Sequence, residues 1–132
     1  MKHNKFYILI SFILLLFSSC ELETKYSYLK AVNKSYNRDY EDVITDIFIS
    51  ENALNNSFRS VWTGQLKPGQ SSLLEIDCGN FGVKFRGIRY YHSGIEKPIN
   101  VMTGYKSPIR FAPFWSFKLI YDGIGIEIKE ED

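Results

Sequence analysis

Beyond its first twenty residues the sequence has one histidine, His92, in Tyr90-Tyr91-His92-Ser93-Gly94, and one cysteine, Cys78, in Asp77-Cys78-Gly79. Histidine is the side chain that most readily titrates near neutral pH and a thiolate is a nucleophile, so acid–base or covalent chemistry would have to start from these two. Neither has the company that such chemistry needs. His92 follows paired tyrosines and precedes Ser-Gly, the pattern of a strand running into a turn, and Cys78 closes the alternation Leu74, Ile76, Cys78, which places it inward as a small buried hydrophobe. The carboxylates Asp39, Glu41, Asp42 and Asp46 read as a solvated approach to a strand more than as a paired acid and base. Ser93 lies in no nucleophile elbow, no glycine-rich phosphate loop is present, and no ligand spacing surrounds His92. The expectation is a protein that is not an enzyme and takes no metal or cofactor.

Binding is the chemistry the composition favours. The stretch YKSPIRFAPFWSF, residues 105–117, brings Tyr105, Arg110 and Trp115 together with further aromatics, and Trp62 lies in a separate strand. Aromatic and arginine side chains dominate protein interfaces, and the same rings can stack on a sugar face. Pro108 and Pro113 mark an edge strand or an irregular crossing, because proline donates no ladder hydrogen bond, and an exposed edge can recruit a partner strand. Tyr90 and Tyr91 are further candidates for a sugar platform. Core packing is the competing use for Phe111, Trp115 and Phe117.

The N-terminus, MKHNKFYILISFILLLFSSC, carries Lys2 and Lys5, then apolar residues from Phe6 to Phe17, then Ser18, Ser19 and Cys20. A basic start, a short apolar middle and small residues at the cut are the parts of a secretory signal. As a helix the apolar run would cover roughly 18 Å, short of the roughly 30 Å hydrocarbon core, so a retained membrane span is not expected. The stretch Leu16-Phe17-Ser18-Ser19-Cys20 resembles the lipobox of bacterial lipoproteins, with Phe17 standing where that family usually has Leu, Val or Ile. The resemblance implies that residues 1–19 are a signal peptide and that Cys20 becomes an acylated N-terminus. Three acyl chains would hold the chain on a membrane firmly, since each buried CH₂ contributes about 0.8 kcal/mol. The alternative is an ordinary signal cut after Cys20. Glu21 and Glu23 resemble surface-export signals of some lineages, and the outer membrane is expected ahead of the inner one.

Cys20 to Asp132 is one domain's worth of chain. Setting aside Lys2 and Lys5 leaves 14 of the 16 basic residues against 15 acidic ones, which offers no electrostatic footprint for nucleic acid. With Cys20 lipidated, the single thiol Cys78 cannot staple its own chain, so the core has to hold the domain unaided.

Two tracts carry strong strand patterning. In FKLIYDGIGIEIK, Asp122-Gly123 reads as a two-residue turn that sets Tyr121 opposite Ile124, Leu119 opposite Ile126, Phe117 opposite Ile128 and Lys118 opposite Glu127. In LLEIDCGNFGVKF, Gly79-Asn80 reads as a second such turn, with Leu74, Ile76, Cys78, Phe81, Val83 and Phe85 on one face and Glu75 opposite Lys84. Beyond Phe85 the apolar phase passes to Ile88 and Tyr90, so Arg86-Gly87 is expected to be a bulge. Further strands are expected near residues 28–35, 43–50, 60–66, 99–105 and 109–111, with Pro68-Gly69 as a turn.

About seven or eight short strands and no convincing helix predict an all-β fold, an antiparallel β-sandwich, with a small β-barrel as the alternative. The pattern resembles immunoglobulin-like and transthyretin-like sandwiches in architecture and carries no functional residue over. The expected organisation is a signal at 1–19, a lipidated Cys20 with a tether to residue 27, and one domain over 28–132. The expected function is a membrane-anchored binding or assembly module for an envelope protein partner, the alternative being a glycan or small-ligand module that uses surface aromatics.

Overall fold

The computed structural model describes residues 26–51, 57–104, 107–112 and 116–131. Nine strands and no helix are found among them: β1 Tyr26–Asn33, β2 Tyr40–Ser50, β3 Arg59–Leu66, β4 Ser71–Asp77, β5 Gly79–Tyr91, β6 Glu96–Thr103, β7 Ile109–Phe111, β8 Ser116–Tyr121 and β9 Ile126–Glu131. They form two sheets that do not close into a barrel, one in the order β4-β1-β8-β9 and one in the order β3-β2-β5-β6, with β7 continuing along the β6 edge of β5. The expected β-sandwich is the fold. All pairings are antiparallel except that of β1 with β8, which run parallel from Tyr28↔Ser116 to Asn33↔Tyr121. β1 starts at Tyr26 and its Ser27 is fully buried, so strand structure takes in the last two residues of the expected tether.

The inward faces are those that alternation picks out. Leu29 and Ala31 from β1, Leu74 and Ile76 from β4, and Phe117, Leu119 and Tyr121 from β8 meet Ile44, Ile47, Ile49, Phe81, Val83 and Phe85 from the other sheet in one buried cluster. Phe111 joins it edge-on to Phe117, with ring centroids 5.2 Å apart.

The connections differ from the expected hairpins in three places. Gly79-Asn80 is not a hairpin turn, since β4 pairs only with β1 and β5 pairs with β2, β6 and β7. The chain crosses there from one sheet to the other. The six residues assigned to one face do point at the core, except that Cys78 is partly exposed, but they do so from facing layers. Glu75 accordingly opposes Tyr28, and Lys84 lies between Phe48 and Met102.

The Asp122-Gly123 turn is wider than two residues. Tyr121 pairs with Ile126 and Leu119 with Ile128, so residues 122–125 form the loop and Lys118 lies opposite Lys129, not Glu127. The cause is local: the Asp122 carboxylate accepts the backbone N–H groups of Ile124 and Gly125, at 2.8 and 2.9 Å, and its own N–H donates to the Gly125 carbonyl. Those two amide donors also hold the Asp122 carboxyl below its usual range. A slip of two residues leaves the side chains of the paired strands on their expected faces, but Ile124, expected opposite Tyr121 on the apolar face, falls in the loop and is exposed.

The bulge exists, but in the partner strand. β2 pairs Ile44 with Gly87 and Asp46 with Arg86, so Thr45 is the extra residue, and its hydroxyl donates to Asp46 and to the Arg86 carbonyl. β2 changes phase there, with Asp42 and Ile44 inward before the bulge and Ile47 and Ile49 after it. β5 keeps one phase throughout, so Arg89 points inward while Tyr90 is exposed and Ile88 partly exposed. Glycine is needed at 87 because β2 presses against it: a Cβ there would stand 2.1 Å from the Val43 carbonyl oxygen.

Gly87→Ala is therefore expected to destabilise the domain by at least about 1–3 kcal/mol through displacement of β2. Gly125→Ala, whose added Cβ meets nothing, is expected to stay within about 1 kcal/mol of the parent or to gain slightly. Urea unfolding midpoints of the two variants check the contrast.

Candidate functional site

The strand directions bring four loops to one end of the sandwich: residues 34–39 between β1 and β2, 67–70 between β3 and β4, 92–95 between β5 and β6, and 122–125 between β8 and β9. β1 enters from the opposite end at Tyr26. Its eight residues at about 3.3 Å each put the four loops roughly 25 Å from that entry point.

Under these loops lies a buried polar cluster. Asp42, 1 % exposed, accepts the Nε of Arg89 at 2.8 Å on one oxygen, and a second Arg89 nitrogen at 3.0 Å and the Tyr121 hydroxyl at 2.7 Å on the other. Arg89 also donates to the Gly123 carbonyl at 3.2 Å. The expectation that Asp42 is a solvated carboxylate is corrected: β2 begins at Tyr40, three residues earlier than expected, and its alternation turns Asp42 inward. The hydrogen bonds that Arg89 donates to the Asp42 carboxylate hold it protonated, its pKa raised above the usual guanidinium value. Burial, and then the Asp42 carboxylate, push the Tyr121 phenol well above the usual tyrosine range.

Asn33 extends the cluster across the two sheets. Its side-chain nitrogen donates to the carbonyls of Asp42 and Leu66, both at 2.8 Å, and its side-chain oxygen accepts the N–H and hydroxyl of Ser35. Its backbone bonds with Gly69 and Gln70 pin the 67–70 turn. Every buried side-chain nitrogen and oxygen among the described residues has a partner, as a network this deep requires.

Above the network opens a cleft of about 430 Å³, lined by Tyr36 and Asn37 from the 34–39 loop, Tyr40 and Glu41 from the start of β2, Lys67, Pro68 and Gln70 from the 67–70 turn and His92 from the 92–95 turn, with the buried Ser35 and Asp42 also in its lining. Its walls are held in place. The guanidinium carbon of Arg89 sits 3.9 Å from the centroid of the Tyr40 ring, and Tyr91 meets that ring edge-on at 5.2 Å. Asn37 accepts the Asp39 N–H, Gln70 accepts the Lys67 N–H, and the His92 N–H donates to the Asp39 carbonyl, joining two of the loops. His92 is exposed where β5 ends, as its flanking residues predict, and it faces this cleft.

The residues singled out from sequence are not brought together here. Trp62 is partly buried, packed against the core, and its ring occupies the space a Cβ on Gly64 would need, 2.8 Å away. Arg110 is exposed on β7 at the far edge of the five-stranded sheet, opposite Asn80. Cys20, Tyr105 and Trp115 lie outside the described residues. Cys78 sits at the crossover between sheets, its thiol pKa raised by burial and by Asp77. No group of three potential metal ligands comes together among the described residues.

Tyr36 and Tyr40 escaped the sequence reading because aromatics in a β-rich chain are ordinarily core. The signal available was the spacing Asn33-x-Ser35 and Asn37-x-Asp39, in which side chains cap nearby backbone and leave Tyr36 stranded between two fixed points. No family model, curated protein or solved structure matches the chain.

Removing one partner of a buried ion pair leaves the other charge unpaired, so Asp42→Ala is expected to cost about 3–5 kcal/mol, and Tyr121→Phe about 1.5–3 kcal/mol for one hydrogen bond to a charged group. Denaturant titration of each variant measures both. The raised Tyr121 pKa also fixes a sign. Its contribution to stability is complete below the unfolded phenol value of about 10 and is lost as pH rises above it. Ultraviolet titration of tyrosinate is expected to show one phenol that ionises only as the fold is lost, a late step absent from Tyr121→Phe.

Proposed function

We propose that this protein is a lipid-anchored envelope module, held at Cys20, that acts by binding and not by catalysis. The observation that carries the reading is directional: β1 leads from the end at which the chain enters the domain to the four-loop end, which a network of buried hydrogen bonds braces. Six residues, Cys20 to Lys25, precede β1 and reach at most about 22 Å, so the domain stays near its membrane with the loop end facing away. The bound component is an envelope protein in the first reading. A rigid, membrane-distal end suits assembly, because surfaces already ordered lose little entropy on binding.

A second reading, a glycan-binding module, is favoured by the make-up of the cleft, where tyrosine rings stand beside amide and charged groups. The outer bacterial membrane is the proposed location, on the lipobox resemblance alone.

Fractionation of native membranes is expected to place the full-length protein with the envelope, with an intact mass that carries acyl chains on Cys20. Cys20→Ser is expected to move it out of the membrane fraction or leave it unprocessed. An unmodified N-terminus generated by cleavage after Cys20 would overturn the anchor. A photo-reactive residue at position 93 in the loop end is expected to cross-link one recurring envelope protein, and one at position 110 is not.

A further inference from the structure

We infer that the cleft between the 34–39 and 67–70 loops is a saccharide site that takes one or two neutral pyranose rings, with Tyr36 as its stacking platform. The inference rests on the second reading, a glycan module at the loop end, and names the site, the stacking residue and the class of saccharide for it.

Three observations carry it. The first is the state of Tyr36. Its side chain is 89 % exposed while its backbone is fixed on both sides, by Ser35 bonded to Asn33 and by Asn37 bonded to the Asp39 N–H. An exposed tyrosine is ordinary on a surface, but one whose backbone is anchored at the lip of a cleft of about 430 Å³ keeps a flat ring beside the opening. The second ring, Tyr40, is clamped between Arg89 and Tyr91 and has little freedom to fold over the opening.

The second observation is the kind of apolar surface present. Among the described residues the cleft has no Leu, Ile, Val, Met or Phe in its lining, and beside the two tyrosines Pro68 is its one apolar side chain. Aliphatic pockets hold the apolar side chains of peptides and lipids. Flat rings with polar rims instead match the C–H face of a pyranose, whose hydroxyls point outward to side-chain donors and acceptors. Asn37, Glu41, Lys67 and Gln70 supply those groups around the rings.

Charge balance is the third. Glu41 and Lys67 offset each other, and Asp42 beneath them is neutralised by its two-pronged contact with Arg89. A multiply charged ligand finds no matching field, whereas a neutral polyol desolvates little charge on entry. The volume lies within the range of small-molecule sites, roughly 300–1,000 Å³. The site lies on the side away from β1's entry, where a glycan outside the membrane can reach it.

The test is saturation-transfer NMR on the full-length protein in nanodiscs, free of glycoside detergents, with cellotetraose, maltotetraose, laminaritetraose, mannotetraose and chitotetraose as probes. At least one probe is expected to receive saturation chiefly on the C–H protons of one ring face. Tyr36→Phe is expected to keep that transfer, because the ring remains. Tyr36→Ala is expected to weaken binding about tenfold or more, a change of about one decade in Kd, with an unchanged unfolding midpoint, since the removed side chain is solvent-exposed. Binding that persists unchanged in Tyr36→Ala overturns the site, and silence from all five probes overturns the saccharide assignment. In the silent case, specific cross-linking of an envelope protein from position 36 would leave the loop end as a binding end for protein, whereas no cross-link there either would overturn both readings together.

Discussion

A carboxylate sealed between two sheets dictates much of this architecture. Asp42 is almost wholly buried, and an ionised group in that position costs several kcal/mol unless its charge is matched and its lone pairs are filled. Arg89 and Tyr121 provide three donors to its two oxygens, and they come from the neighbouring strand and from the opposite sheet. The arrangement ties strand order to polar satisfaction: β5 must lie beside β2, and β8 must face them, or a charge is left unpaired. Asn33 does the same for backbone groups, since the carbonyls of Asp42 and Leu66 both find their donor in its one side-chain amide.

The bulge at Thr45 follows from the same constraint. β2 has to aim Asp42 and Ile44 inward near the loop end, and Ile47 and Ile49 inward further along, and strict alternation cannot do both. One extra residue resolves the conflict. It brings the Val43 carbonyl so close to β5 that only glycine fits at 87, so a glycine in one strand records a phase change in the next. A uniform apolar stripe along β2 would have needed neither the bulge nor the glycine.

The strands and their inward faces were legible in the sequence because alternation is a local signal, and the core residues of β4, β5 and β8 follow from it directly. Pairing was not, for a definite reason. Two consecutive strands with matching apolar faces satisfy the pattern equally well as neighbours in one sheet or as opposite walls of a core, and Leu74 and Phe81 turned out to be opposite walls. The β8–β9 register slipped by two residues, which changes every partner but leaves the residues of the paired strands on their faces and puts only Ile124 out into the loop. Arg89 misled for another reason: an arginine among apolar residues reads as outward until its carboxylate is known, and that carboxylate lies 47 positions away in sequence. The cleft was less legible still. Its residues come from three loops and the start of β2, each with a sound local reason for its residue types, and only the fold shows that their side chains share one space.

The polar clasp also braces the loop end, where no disulfide is found among the described residues. Loops are ordinarily the least stable parts of a fold, since they bury little apolar surface and their backbone groups face water. Here the 34–39 loop is tied to Asn33, the 67–70 turn to Asn33 and Gln70, the 92–95 turn to Asp39, and the 122–125 loop to Arg89 and Asp122. Three of the four ties converge on the residues that neutralise or surround Asp42, so opening one loop exposes part of a network whose other members depend on it. The entropy of ordering these loops has therefore already been lost in folding, where the apolar core and the charge pair offset it. Tyr40 makes the link concrete: one face of its ring is held by Arg89, so the group that satisfies the buried carboxylate also fixes a wall of the cleft.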